Sequence, residues 1–449
     1  MSSGFVFPTN PPGGYLGGLR PPKAPAFQWW MGSLLSKLDF ELSPPNGIKS
    51  KTQNTQPEED PVNQYCSMFS QILQLFPRLE FQRMVKETKS ERHARGFSSW
   101  SQFVSMLFCQ LGRAHSLREI SGGLRSCEGK LKHLGIRAPS HSTLAYANEH
   151  RPWELYQMVF LKLYERCRSQ IGFRKKKFRF KNKLISMDSS VIDLCLTMFD
   201  WAHFCRTKGA IKLHLLLDHD GYLPSFAVIT DGKASDIEVA RQFQFDPGTI
   251  VVDDRGYNDY SLFDRWTRHG VYFVTRMLPN SAYEVVRENR VPQNRNILRD
   301  SIIRFTTAYA IERCSHHLRR VEFYNPEKDE VLVFLTNHMK LGASTVAAIY
   351  KDRWQIELFF KSLKQNLKIK TFVGTSANAV KIQIWTALIA MLLLRFLQLR
   401  SKYNWSLSNL VALLRMNLFT HRNLWAWLDK PFDVLPTPYQ SEQLRLPLR

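Results

Sequence analysis

A chain of 449 residues is long enough for two or three domains and a sizeable core. Lys and Arg number 62 against 39 Asp and Glu, a formal charge of +23, which argues against a typical metabolic enzyme and for a polyanionic partner, nucleic acid ahead of an anionic membrane surface. Seven cysteines with no CxxC pair argue against a zinc site and suit a reducing cytosol.

Residues 1–60 are rich in Pro, Gly, Ser and Asn, show no sustained periodicity, and are expected to be disordered. They lack the charged start and apolar core of a signal peptide, and Met31 or Met68 is an alternative start. From 66 to about 170, "FSQILQLF", "SWSQFVSMLFCQLG" and "WELYQMVFLKLYERC" space apolar residues at three and four, which predicts an all-helical N-terminal domain. Within it, "SLREISGGLRSCEGKLKHLGIRAPSHSTLAYANEHR" has a helix, a Gly-containing break and a Ser-initiated second helix, the outline of a helix-turn-helix. The run "RCRSQIGFRKKKFRFKNK" then carries nine basic residues and no acid, with aromatics interleaved, as a phosphate-tracking segment would.

Strands follow from 184. "LISMDSSVIDL" reads as a strand, "AIKLHLLLDHDGYLPSFAVIT" as a hairpin, "DIEVARQF" as a short helix and "TIVVDD" as a buried strand ending in acids. "YSLFDRWTRHG" predicts a helix closed by Gly270, and "VYFVTRM" and "VLVFLTN" predict strands on either side of a strand-rich insertion at about 278–330. Together these predict an α/β mixed sheet with flanking helices over 184–375. A helical region fills 376–449; its apolar run "IWTALIAMLLLRFLQL" is short for a membrane span and carries Arg395, so it predicts a buried helix and no membrane partner.

Three acids stand at the ends or edges of these elements: Asp188 on the first strand, Asp254 after "TIVVD", and Glu357 on a late helix. If the first and fourth strands are neighbours, the two aspartates converge, and a helix across the sheet can add the glutamate. Carboxylate oxygens suit Mg²⁺ or Mn²⁺, and two such ions serve an in-line displacement at phosphorus. Asp253 competes with Asp254, but adjacent strand residues face opposite sides, so only one joins the site. On a helical plot of 349–369, Ile349, Ile356, Phe359, Phe360, Leu363 and Leu367 form a core arc, while Tyr350, Arg353, Glu357 and Lys364 line its edge. His214 is expected in the core or beside the site, Lys212 is a candidate phosphate contact, and Asp193 should face away.

Tyr350, Arg353, Glu357 and Lys364 stand as Y-x2-R-x3-E-x6-K, which resembles the signature of IS-four family insertion-sequence transposases. "DSSVIDL", "VVDDRGY", "WAHFCRTKGAIKLHLLLDHDGYLP" and "FLTN" resemble further blocks of that family, in order, over roughly 66–400. The resemblance implies a ribonuclease-H-like fold with Asp188, Asp254 and Glu357 as a metal-binding DDE triad. It implies binding of double-stranded DNA at terminal inverted repeats, cleavage, and joining to target DNA. A homodimer would assemble in the synaptic complex, in a bacterial-type cytoplasm at the nucleoid. Tyr350, Arg353 and Lys364 would hold the transferred strand, Arg255 of "DRGY" would contact DNA, and the helical N-terminal domain would recognise the ends, a role separable by truncation. In relatives a Trp of the insertion stacks on a flipped base; no Trp lies between Met277 and Thr336 here, which leaves Trp354, read either as a stacking residue or as core. A non-cleaving DNA-binding descendant and a nuclease without a joining step are the alternatives.

Overall fold

The computed structural model describes residues 66–433 apart from 93, 172–176, 195–198, 200, 202, 206–207, 294 and 370. The expected disorder of 1–60, the tail beyond 433 and the centre of the basic run lie outside the described residues. Seven helices come first: α1 (Met68–Gln74), α2 (Arg78–Glu87), α3 (Ser99–Gly112), α4 (Leu117–Ser126), α5 (Glu128–Leu131), α6 (His141–His150) and α7 (Glu154–Ile171). Serine side chains cap α1, α3, α4 and α6, each accepting a first-turn backbone N–H. The helix-break-helix outline is present as α4 and α6. The interval between them holds α5 and a 3-10 turn, however, which is longer than the three or four residues of a helix-turn-helix.

The strands are β1 (Leu184–Leu194), β2 (His203–Cys205), β3 (Lys208–Asp218), β4 (Leu223–Asp231), β5 (Ile250–Val252), β6 (Tyr272–Arg276), β7 (Tyr283–Glu288), β8 (Ile297–Phe305), β9 (Leu318–Asn325) and β10 (Glu330–Thr336). Between them lie α8 (Asp236–Ala240), α9 (Tyr260–Arg268) and α10 (Ala308–Arg313). After the sheet come α11 (Ala343–Asp352), α12 (Trp354–Asn366), α13 (Ala377–Arg400), α14 (Leu407–Asn417) and α15 (Leu424–Asp429).

All ten strands form one sheet. β1 pairs antiparallel with β3, which pairs antiparallel with β4; on its other side β1 is parallel to β5, and β5 to β6. An antiparallel meander followed by two parallel strands, in spatial order β4-β3-β1-β5-β6, is the ribonuclease-H-like arrangement. The insertion continues the same sheet, with β10, β9, β8 and β7 added antiparallel beyond β6. The turn of the β3–β4 hairpin places Gly221 and Tyr222 at positive φ (90° and 53°).

Period-two alternation sorts the strand residues between two faces. Ile185, Met187, Val251 and Phe273 pack with α8 and α9 on one face. Leu184, Ile250, Val252 and Val274 pack with α11 on the other, where Leu213, Leu215 and Leu217 meet a larger core containing α7, α12 and α13. Helix α13 is apolar and long enough to cross a membrane, but nearly all of it is buried by the protein's own side chains. Its cover is the N-terminal helices: Trp385 stacks with Trp153 (6.4 Å, 7°) and meets Phe160. Met68 and Phe69 donate backbone hydrogen bonds to Thr420 and Leu418. Residues 66–171 therefore share one core with the C-terminal helices, which corrects the expectation that they are separable by truncation.

Candidate active site

Strand register brings the first two acids together. Ser186 lies beside Val252 on parallel strands, and two residues further along the same face come Asp188 and Asp254. Asp253 points to the opposite face and is fully buried, which drives its carboxyl well above the usual range. Asp254 lies two residues past the end of β5 and caps a 3-10 turn, its Oδ1 accepting the Gly256 N–H at 2.8 Å. A Cβ at 256 would stand 3.1 Å from that oxygen, so the glycine of "DRGY" leaves the carboxylate room.

The third acid comes from α12, which contacts β1. The stretch 349–369 is two consecutive helices meeting at Arg353, whose own backbone stays helical (φ −51°, ψ −34°). Ile349, Ile356, Phe359, Phe360, Leu363 and Leu367 are all buried, as the arc predicts, and Glu357 sits at its half-buried edge. Arg353 joins strand to helix: one guanidinium nitrogen lies 3.3 Å from Asp188 and the other 2.7 Å from Glu357. Burial pushes Asp188 up to about 6; the Ser189 N–H and Arg353 oppose this, and the charges of Asp254 and Glu357 add to it. Asp188 therefore feels both other acids, with Arg353 as counter-charge to it and to Glu357.

The edge residues are less uniform. Tyr350 is partly buried, with its ring 4.8 Å from Phe334 and the Arg353 guanidinium 5.6 Å over its face. Lys364 lies two turns beyond Glu357 and donates to the Val191 carbonyl at 2.9 Å. Arg255 is exposed on the turn after Asp254. Trp354 is 55% exposed, which overturns its reading as a core residue. Lys212 is not a free cation: it donates to the Ala234 carbonyl and pairs with Asp236 at 3.3 Å, which corrects its reading as a phosphate contact. His214 is buried beside it, bonded to Thr230, and burial lowers its pKa to about 4. Asp193 is exposed.

One network escaped the sequence reading. His219 Nδ1 lies 2.7 Å from Asp352 and its Nε2 2.7 Å from Ser186 Oγ. With Nδ1–H donating to the carboxylate, Nε2 accepts from the serine hydroxyl. Tyr222 and Lys177 also donate to Asp352; against its burial, the bonds from His219 and then Lys177 hold it below the usual carboxylate range. Ser–His–Asp is the hydrogen-bond order of a hydrolytic triad. Here Ser186 is fully buried, and the adjoining cavity of about 20 Å³ admits no more than a water. The network is a brace. Ser186 precedes Asp188 by two on β1, and Asp352 precedes Arg353, so the brace fastens the strand of one acid to the helix junction of another. Phe178 and Phe180 of the basic run stack on each other beside it and pack on the core, so they are not free for bases.

Residues 179–393 match the family model "Transposase DDE domain", and residues 65–137 match a domain of unknown function (DUF4372). The chain is 30% identical to a transposase of Sinorhizobium fredii over 67% of its own length and 83% of the relative's. It belongs to the DDE transposases of insertion sequences. The transposase of element IS5377 from Geobacillus stearothermophilus is 28% identical over 61% of this transposase and 72% of its own length. A piggyBac synaptic complex overlaps at a TM-score of 0.39 with 10% identity, covering 84% of this chain and 85% of that one, a looser likeness than the sheet order itself. The protein is accordingly an enzyme that cleaves and moves DNA, in a family that uses divalent metal ions.

Among the described residues no three His, Cys, Asp or Glu side chains stand close enough, as placed, to hold one ion. The donor chemistry fits such an ion nonetheless: three carboxylates are gathered, one of them is made reluctant to ionise by burial and by the others, and an arginine supplies the missing positive charge.

Proposed function

We propose that this transposase binds the terminal inverted repeats of its element, cuts there, and joins the freed ends to target DNA as a member of the IS-four family. The observation that carries the reading is the convergence of Asp188 and Asp254 on one face of parallel strands, with Glu357 tied to the same place through Arg353. Asp188, Asp254 and Glu357 would hold Mg²⁺ or Mn²⁺, two ions per site. Bound there, the ions supply charge for the attacking and leaving oxygens of an in-line phosphoryl transfer. Arg353, now paired with Asp188 and Glu357, is the guanidinium nearest the acids and would suit a DNA phosphate there. Exposed Arg255 and Trp354 flank the acids, the one suited to phosphate and the other to stacking on an unpaired base. Tyr350 and Lys364 line the same helix edge for the transferred strand. Residues 66–171 recognise the ends, and two copies pair in the synaptic complex, in the cytoplasm at the nucleoid.

Nicking of a labelled duplex carrying the inverted repeat that flanks this reading frame tests the triad. Asp188→Asn, Asp254→Asn and Glu357→Gln should each bind it and lose cleavage in Mg²⁺ by about 10²-fold or more. Asp253→Asn should cleave nearly normally, because burial already favours its neutral form. Strong cleavage by Glu357→Gln would reduce the Arg353–Glu357 pair to a structural one.

A further inference from the structure

Two grooves run along helix α6, and neither is lined by any acid. The larger, about 670 Å³, lies at the start of the helix and carries Arg95, Lys132 and Arg137. The second, about 320 Å³, follows its flank and carries Lys89, Arg92 and again Arg95. All five of these cations are exposed, and none makes an ion pair among the described residues. Cations without an ion pair occur elsewhere among the described residues of this basic protein, at Arg83, Arg118 and Arg125 for example; what marks these two grooves is that cations line them with no acid.

The helix between the grooves keeps a polar, exposed face. Leu144, Ala147 and Asn148 point into the core, whereas Ser142, Thr143, Tyr146, Glu149 and His150 point outward, Glu149 being the one acid of that face. Tyr146 is 66% exposed, and its ring lies over His150 at 4.0 Å, nearly parallel, so a large aromatic is held out in solvent in a fixed pose. A helix of this length spans about 15 Å. The major groove of B-DNA is about 12 Å wide and admits one helix, with a phosphate backbone on each side. A helix seated there needs hydrogen-bonding and apolar groups along its face and cations within reach of the phosphates; here the cations stand at the start of α6 and along the flank that carries Tyr146.

The geometry points to α6 as the helix that reads duplex DNA: Thr143 and Tyr146 meet base edges, and the cations of the two adjoining grooves hold phosphates at its start and along its flank. This inference rests on the reading that residues 66–171 bind the element ends, and it gives the domain of unknown function at 65–137 a role, since that segment supplies every one of the five cations. The connection between α4 and α6, too long for a helix-turn-helix, then has a purpose: it carries Lys132 and Arg137 out to the larger groove.

Binding of full-length protein to the labelled inverted-repeat duplex and to a shuffled duplex, over a salt series, tests it. The triple variant Arg95→Ala, Lys132→Ala, Arg137→Ala should weaken binding to both duplexes and lower the salt slope by about one per lost phosphate contact. Tyr146→Ala should keep affinity for the shuffled duplex while losing about tenfold in discrimination. Melting temperatures should hold in both, since every altered side chain is exposed. If wild-type protein discriminates and Tyr146→Ala discriminates equally with an unchanged slope in the triple variant, α6 is not the reading helix and end recognition lies elsewhere. If wild-type protein itself does not discriminate, the end-binding reading falls too.

Discussion

Arg353 and Asp188, 165 positions apart in the chain, meet at 3.3 Å across the junction of a helix and a strand. The contact matters because the same guanidinium also holds Glu357, so one cation balances two acids.

Removing that cation should expose the repulsion it masks. In metal-free protein Arg353→Ala should lose on the order of 3 kcal/mol, the size seen when a mostly buried ion pair loses one partner. Added Mg²⁺ should narrow the gap, because positive charge returns to the same carboxylates. Urea melts with EDTA and with Mg²⁺ provide the check; an equal deficit in both would mean that the arginine matters only for packing.

Asp188 sets a pH dependence of definite sign. An unfolded aspartate titrates near about 4, whereas folded Asp188 titrates at about 6. The folded state therefore holds the extra proton, and the stability this confers is complete below about pH 4 and lost as pH rises through about 6. Asp188→Asn, neutral throughout, should be more stable than wild type at neutral pH in EDTA by on the order of 1–3 kcal/mol, with the gap closing toward about pH 4. A constant gap across that range would show that the carboxylate is not strained by its surroundings.

The brace behind the acids should act on rate more than on binding. His219→Ala disconnects Ser186 from Asp352 without touching DNA or the three acids. Cleavage should fall by about 10–100-fold, since displacement of reacting groups by an ångström costs that much. Affinity for the inverted-repeat duplex should stay within about twofold of wild type, a change of under 0.5 kcal/mol. An affinity loss as large as the rate loss would point to general unfolding.

Protein lacking residues 66–160 should not fold. Trp385 would lose Trp153 and Phe160, and the start of α13 would lose the hydrogen bonds from Asn378 to the Asn148 and Arg151 carbonyls. Exposing that much of a largely apolar helix should drive the protein into the insoluble fraction. A soluble truncation with a sharp melting transition would refute the shared core.

Much of the sheet was legible because alternation and helical spacing report local burial directly. "LISMDSSVIDL" is β1 from end to end, and the arc from Ile349 to Leu367 is buried residue for residue. The nearness of Asp188 to Asp254 and Glu357 could be anticipated because each acid stands beside a motif at the end or edge of an element. The break at Arg353 was not, since its backbone remains helical. Nor was the brace: Ser186, His219 and Asp352 lie on three separate elements, and no periodicity links them. Lys212 misled for a related reason: its partner Asp236 is 24 positions away, beyond the hairpin, and a charge count cannot tell a paired lysine from a free one. The shared core was hidden as well, because amphipathic spacing tells which face of a helix is buried and not what buries it.

Two sequence families, one at 65–137 and one at 179–393, meet in this chain as though they were cassettes. The interleaved packing of α13 denies them that independence. A lineage that acquired a different N-terminal segment by recombination would inherit mismatched surfaces against Trp385 and its neighbours, and its hybrid would fail before selection on target choice began. Such elements should therefore diversify their ends by drift on outward-facing positions, with the front and back of the gene inherited together.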